Sequence, residues 1–320
     1  MNGLVTLLAL TKGHNLKHSE AVIEKITGMK ELGFSSRDIA KAVFGSSSKK
    51  STVNDILARN KIAISKQETS QPKKIMFIPD CQARADVDMT YLHAIGQYLV
   101  DKKPDIVVNA GDFFDLPSLS SYDKGKLSFE GRRLKNDLEA GKRGMDILLK
   151  PLRNYQKENP SYKPRMVFTL GNHEQRLKRI AQENSEFEGF VGYHLLELEK
   201  DWEVHDFLKP VNIQGINFVH YLANPMSGKP YGGSAANQLK AVGTSFCVGH
   251  KQTLDVAIQP VLDGTMRIGI IAGASYPFGE VYKGFQGNNH FRGIVMLHEA
   301  QNGFADPSFV STKFLIDRLN

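Results

Sequence analysis

Between about residues 75 and 270 one arrangement recurs: a short apolar run, rich in β-branched residues, that ends abruptly in Asp, Asn, His or Gln. Ile75 to Pro79 leads into Asp80-Cys81-Gln82, and Ile106 to Ala110 into Gly111-Asp112-Phe113-Phe114-Asp115. Met166 to Leu170 leads into Gly171-Asn172-His173-Glu174. Ile216 to Val219 leads into His220, and Ser245 to Val248 into Gly249-His250-Lys251-Gln252. Runs this short and this apolar read as buried strands. With helical stretches between them they predict a layered α/β fold. In such folds the loops at the carboxyl ends of the strands converge on one crevice. One such fragment is an ordinary turn; five in order, each at a strand end, predict a shared site.

The five fragments closely resemble the calcineurin-like metallophosphoesterase family, whose blocks read D-x-H, G-D-x-x-D, G-N-H-[DE], H and G-H-x-H. The resemblance implies a two-sheet sandwich flanked by helices, with the site at one edge, and a pair of divalent metal ions. Carried over residue by residue, Asp112 bridges both ions. Asp80, Gln82 and Gln252 complete the first; Asn172, His220 and His250 complete the second. His173 protonates the leaving oxygen and Asp115 holds its other ring nitrogen, an acid with its orienter. Arg176, just beyond, either holds a phosphate oxygen or lies as a solvated surface residue. Cys81 reads as core and His290 and His298 as structural, while His194 and His205 match no block.

Two divalent ions bring four positive charges against two carboxylates, which leaves a positive pocket for an anionic phosphate. Ions ~3.5–4 Å apart lower the pKa of a shared water and stabilise both oxygens of an in-line displacement. The chain departs from the family pattern at Gln82 and Gln252, where the blocks end in His, and both belong to the same metal. A glutamine carbonyl is a harder, weaker ligand than imidazole. Affinity at that ion should fall and preference move toward Mn²⁺ or Mg²⁺ and away from Zn²⁺.

Length and composition bound the rest. At 320 residues, 41% hydrophobic and 23% charged, the chain is neither disordered nor membrane-spanning in character, and long enough for two domains. The apolar run Leu4 to Leu10 is too short to cross a bilayer and lacks the flanks of a secretory signal. Two cysteines, Cys81 and Cys247, fit a reducing cytoplasmic setting rather than a disulfide framework. The net charge of +7 is unevenly placed: residues 1–74 hold 13 Lys and Arg against 6 Asp and Glu, and the rest of the chain is balanced. A basic excess confined to one region is the electrostatic footprint of nucleic-acid binding, though a solubilising extension has the same charge.

From Ser19 onward that region is helical in pattern, with Val22, Ile23, Ile26, Met29 and Leu32 at three- and four-residue spacing and Gly33 as the stop. Ser35 and Asp38 form a capping box for a second helix carrying Ile39, Ala40, Val43 and Phe44, which ends at Gly45. A polar loop from Ser46 to Lys50 precedes a third helix, capped by Ser51 or Thr52 and containing Val53, Ile56 and Leu57. The stretch resembles the helix-turn-helix of resolvases and many transcriptional regulators, although the second connection is long for that motif. The resemblance implies a DNA partner and a last helix that presents Lys49, Lys50, Ser51, Thr52, Asn54 and Asp55 to the major groove. A three-helix packing domain is the alternative.

The expected organisation is a helix-turn-helix-like domain over 1–64, a polar linker over 65–74 and a metallophosphoesterase domain over 75–320. Three stretches frame the substrate. Residues 116–163 carry Lys124, Lys126, Arg132, Arg133, Lys135, Lys142 and Arg143, a candidate phosphate-tracking face. Residues 222–243 read as a Gly/Ser/Asn-rich loop. Residues 276–292 hold Tyr276, Phe278, Tyr282, Phe285 and Phe291, either stacking platforms for bases or packing under a long loop. The leading expectation is a metal-dependent phosphodiesterase, an endo- or exonuclease held on DNA by the helical domain. The alternatives are a phosphatase for phosphoproteins or nucleotides and a DNA-binding regulator with a degenerate metal site. The oligomeric state is left open.

Overall fold

The alternation of apolar runs and polar strand ends is realised as two stacked sheets in a computed structural model, which describes residues 20–31, 35–64, 71–121, 124–280 and 284–319. The chain divides into two units that meet at Ser70 and Gln71.

In the first unit, α1 (Glu20–Glu31), α2 (Ser36–Phe44) and α3 (Lys50–Ile64) bury Ile26, Ile39, Ala40, Val53 and Ile56 in a small core of their own. The expected stop at Gly33, with Leu32, lies outside the described residues. The Ser35 hydroxyl accepts from Asp38 N at 3.2 Å, but the carboxylate of Asp38 accepts from that hydroxyl at 2.5 Å instead of reaching back to an amide. Only half of the expected capping box forms. Gly45 closes α2 with φ +73°, a conformation that costs glycine no Cβ clash. The connection after it is the main correction. Ser46 caps a 3₁₀ turn over Ser47–Lys49 that runs directly into α3, so neither Ser51 nor Thr52 is a cap. Three serines in a row suggest a loop, yet one of them supplies the cap that starts a helix. The irregular connection therefore shrinks to Gly45 and Ser46.

The second unit begins with β1 (Lys73–Ile78), which takes two residues from the expected linker; residues 65–70 lie outside the described ones. There follow α4 (Thr90–Lys102), β2 (Ile106–Asn109), α5 (Leu134–Glu158), β3 (Arg165–Thr169), α6 (Gln175–Glu183), β4 (Glu203–His205), β5 (Val211–Ile213) and β6 (Ile216–Val219). The chain continues through α7 (Ala235–Val242), β7 (Phe246–Val248), β8 (Leu254–Pro260), β9 (Met266–Ala272), α8 (Gly284–Gly287), β10 (Gly293–Gln301), β11 (Phe304–Ser311) and α9 (Thr312–Asp317). One sheet has the order β11-β10-β1-β2-β3-β4 and the other β5-β6-β7-β9-β8. Strands β1 to β4 are parallel, as are β6, β7 and β9, and antiparallel strands lie outside them.

The period-two alternation of a strand assigns the layers. Ile75, Phe77, Ile106 and Val108 face the second sheet and pack against Phe218, Cys247, Ile268 and Ile270. Met76, Ile78 and Val107 face the other way, onto a core with Leu92, Ile95 and Leu99 of α4 and Leu148 and Leu152 of α5. On the far side of the second sheet, Val219, Phe246 and Val248 pack against Ala235 and Leu239 of α7. The result is a sheet-on-sheet sandwich with helices on both outer faces, the mixed α/β architecture expected. Among the described residues no helix is long and apolar enough to cross a membrane.

Several expected surface features are reshaped. The basic residues of 116–163 do not form one face: Lys142 pairs with Glu197 at 2.5 Å, Lys135 with Glu139 at 3.8 Å, and Arg132 donates to the Pro117 carbonyl at 3.0 Å. The 222–243 stretch contains α7, capped by Ser234. Tyr276 is fully buried and stacks on Phe278 with centroids 4.7 Å apart, so these two are packing; Phe285 is exposed, and Tyr282 lies outside the described residues.

Candidate metal centre

Five strands from both sheets deliver their polar ends to one place. β1, β2 and β3 contribute Asp80 and Gln82, Asp112 and Asp115, and Asn172 and His173, while β6 and β7 contribute His220, His250 and Gln252. The backbone bends sharply to do so. Gln82, Asp112, His250 and Gln252 all have positive φ, at 48°, 48°, 64° and 60°. Non-glycine residues in this region carry strain that the surroundings must hold in place.

Glu174 supplies much of that hold. It is fully buried, and its carboxylate accepts from the amides of Asp112 (2.8 Å), Phe113 (2.9 Å), Phe114 (3.0 Å) and Gly171 (2.9 Å). One side chain thus ties the β2 and β3 loops together and sets the turn at Asp112. Gly171 belongs to the same contact: a Cβ there would collide with the Asp112 carboxylate and amide. Glu174 is not legible in the sequence as a ligand, because its role is to hold backbone amides. The only available signal was its place as the last residue of the Gly-Asn-His-Glu block.

Among the described residues Asp112, His220 and His250 form a cluster whose ligand atoms all lie within 4.8 Å of one another. His220 Nδ1 sits 2.7 Å from the Ala110 carbonyl, an acceptor, so that nitrogen carries a proton. Its Nε2 then faces Asn172 Oδ1 at 2.9 Å, Asp112 Oδ2 at 3.3 Å and His250 Nδ1 at 3.2 Å. With Nδ1 of His220 committed to Ala110, its Nε2 presents a lone pair to the two oxygens, an arrangement of acceptors that a cation or a shared proton would satisfy. The electrostatics agree. Burial opposes charge on His220, but the Asp112 carboxylate pushes its pKa up to about 9. Burial and the neighbouring His220 push His250 down to about 4. Asp112 is held well below the usual carboxylate range, because the surrounding histidines outweigh its burial. A field that favours a proton at this point favours a divalent cation more strongly.

The other half of the centre is less complete. Asp80 is fully buried and accepts from His250 N at 2.9 Å, and burial raises its pKa to about 6. Gln82 Oε1 is buried without a hydrogen-bond partner, as a ligand oxygen would be. Gln252 differs from expectation. Its Oε1 accepts from the Tyr276 hydroxyl at 2.9 Å, and its Nε2 lies 3.4 Å from Asp80 Oδ2. A carboxylate accepts only, so the amide turns its nitrogen toward it. To present the carbonyl to an ion, the amide must rotate.

His173 stands beside both halves. Its Nδ1 lies 3.1 Å from Asp115 Oδ1, its Nε2 3.6 Å from Asp112 Oδ2, and its amide donates to Asp112 Oδ1 at 2.8 Å. Burial works against its charge, but Asp112 and Asp115 outweigh it and raise the pKa. Arg176 is neither free in solvent nor open to a phosphate at every donor. Its Nη1 donates to the carbonyls of Asp115 (2.7 Å) and Leu116 (3.2 Å), which holds the Asp115 loop down. The residues Lys49, Lys50, Ser51, Thr52 and Asn54 belong to the other unit. There Lys49, Lys50, Ser51 and Asn54 are exposed and Thr52 is half-buried.

Two comparisons relate the chain to known proteins. Over 104 residues the chain is 36% identical to the Gene 54 protein of Mycobacterium phage L5; the match takes in 32% of this chain and 37% of that protein, so it spans little more than a third of the relative. The profile of the calcineurin-like phosphoesterase family matches residues 73–225, from β1 through His220, and stops before the β7 loop that carries His250 and Gln252. With the strand ends, the buried Asp-His cluster and the two-sheet sandwich in hand, residues 73–225 of this chain are identified as a calcineurin-like phosphoesterase segment.

Proposed function

We propose that the chain is a metal-dependent phosphodiesterase acting on DNA, by in-line hydrolysis at a pair of divalent ions, with Mn²⁺ preferred and Mg²⁺ a second choice. Asp112, Asn172, His220 and His250 hold one ion, and Asp80, Gln82 and Gln252 share Asp112 with the other. When bound, the ions supply Lewis acidity at the scissile phosphate and a nucleophile at neutral pH. The protein's own part is to protonate the leaving group. His173 carries that proton on the ring held by Asp115, and Arg176 secures the loop beneath them.

The observation that carries the choice of a polymer is the cleft. The space in front of Asp112, Asn172, His173 and His250 has a volume of about 1450 Å³ and is also lined by Lys126, Arg132, Arg133 and Lys251. Small-molecule pockets span ~300–1,000 Å³, so this one has room for substrate on either side of a scissile phosphate. The basic helical unit supports DNA as that polymer, since tethering a catalytic unit to its substrate raises local concentration without any new contact at the site.

Purified protein is to be incubated with supercoiled, linear and single-stranded DNA, bis-p-nitrophenyl phosphate and p-nitrophenyl phosphate, each with Mn²⁺, Mg²⁺ or chelator. Metal-dependent cleavage of DNA and of the diester is expected. Turnover of the monoester with DNA left intact overturns the reading. Substituting Lys49→Ala and Lys50→Ala in the full chain should weaken DNA binding and lower the slope of log K against log salt by about 2. An unchanged slope removes α3 from the DNA interface.

A further inference from the structure

Arg84 lies two residues beyond Gln82, matches no family block and has a side chain only 18% exposed. Its Nη1 contacts Glu280 Oε1 at 3.1 Å, Glu280 Oε2 at 3.2 Å and Asp115 Oδ2 at 3.4 Å, while its Nε lies 3.0 Å from Asp86 Oδ1. The guanidinium also stacks over Phe278, 4.5 Å from the ring centroid. Glu280 is itself nearly buried and is fixed by Asn288, which accepts from its amide at 2.7 Å and donates to its carbonyl at 2.8 Å. Tyr276, Phe278 and Glu280 lie on one short loop segment after β9, and all three contact the site. Tyr276 reaches Gln252, and the other two reach Arg84.

We propose that Arg84 is the positioning residue of the general acid, clamped by Glu280 and Phe278 so that it fixes the carboxylate of Asp115. The proposal rests on the reading of His173 as proton donor. A carboxylate held by one oxygen can rotate. Here Oδ1 of Asp115 lies 3.1 Å from His173 Nδ1, an ion-pair distance with no hydrogen bond closed, and Oδ2 accepts from Arg84, so Arg84 is the side chain that limits rotation of the group. The distances also say where the charge goes. Arg84 is closer to Glu280 than to Asp115, so its positive charge is largely balanced by Glu280 and Asp115 keeps its own for His173. Removing Glu280 would leave Arg84 to compete with His173 for that carboxylate. A planar group whose Nη1 is shared between two carboxylates while its face stacks on an aromatic ring is a task for Arg and only partly for Lys.

The test uses aryl methyl phosphodiesters, which need no assumption about DNA. Phenol is a basic leaving group that gains from a proton, whereas 2,4-dinitrophenol leaves unaided. His173→Ala should slow the phenyl ester by roughly 10²–10⁴-fold, as loss of a general acid does, and the dinitrophenyl ester by far less. Arg84→Gln should show the same selectivity on a smaller scale, about tenfold or more on the phenyl ester, in the range of outer-partner effects. Arg84→Lys should recover part of it. Metal content and thermal midpoint are measured alongside, and Glu280→Gln repeats the test if Arg84→Gln does not fold. Equal slowing of both esters by Arg84→Gln and by Glu280→Gln makes Arg84 a purely structural residue and overturns the proposal. If His173→Ala shows no leaving-group dependence, the acid reading fails first and the proposal falls with it.

Discussion

In the half of the centre built by Asn172, His220 and His250, the His220 ring is fixed from behind by the Ala110 carbonyl, and the backbone of His250 is held through its amide by Asp80. In the half built by Asp80, Gln82 and Gln252, the backbone is bent in the same way, with positive φ at both glutamines, but one amide is turned to Tyr276 and Asp80. On the proposed two-ion reading, the same scaffold would hold two kinds of ion site. An imidazole whose far nitrogen is tied to a carbonyl has its lone pair aimed before any ion arrives. A glutamine can satisfy its amide within the protein, and an ion must displace that bond. The difference teaches that the same strand-end geometry can leave a candidate ligand either free to face an ion or engaged with another partner.

The comparison breaks most directly when the better half is made to resemble the poorer one. His250→Gln should cost the cluster with Asp112 and His220 more than the ~10–100-fold in metal affinity that outer-partner changes cost. Calorimetric titration with Mn²⁺ measures it. An affinity unchanged within twofold would show that His250 is not a ligand and that the convergence of lone pairs has another purpose.

Glu174 underlies both halves, so a change there tests what they share. Glu174→Gln keeps the shape but replaces an acceptor oxygen by an NH₂ group, which leaves buried amides of the β2 and β3 loops unpaired. At ~1–3 kcal/mol for each unsatisfied buried group, stability should fall by about 2 kcal/mol, read from urea denaturation midpoints. A variant as stable as the parent would mean that the strained turn at Asp112 is held by packing alone.

How much of this was legible follows from where the information lies. Each metal-ligand candidate sits within a few residues of the end of an apolar run, so Asp80, Asp112, Asn172, His220 and His250 can be read from strand pattern and block order alone. The layers follow from alternation along β1 and β2. Arg84 and Glu280 are 196 positions apart, and they meet only because the fold brings the loop after β9 beside the β1 loop. No local pattern announces such a pair. The turn of Gln252 is equally non-local, because Tyr276 decides it. The 3₁₀ turn before α3 was hidden for a different reason: serine serves loops and helix caps alike.

The converse substitution is the mildest and the most discriminating. Gln82→His and Gln252→His together return two imidazoles to the weaker half, where Asp80 and Asp112 already supply carboxylates. Imidazole suits Zn²⁺ and other borderline ions better than an amide oxygen does, so affinity at that half should rise by about tenfold and preference should move from Mn²⁺ toward Zn²⁺. The size of the gain separates two origins of the weakness. If donor type alone is responsible, Tyr276→Phe in the parent should leave the weaker half unchanged. If the bond from Tyr276 to Gln252 holds the amide away from the ion, Tyr276→Phe should recover part of the gain by freeing the carbonyl, and the doubly substituted protein should be indifferent to it. Titrations that show one class of site in the parent and still one in the Gln82→His, Gln252→His protein would mean that these positions face no ion at all, and the two halves would then differ in kind rather than in strength.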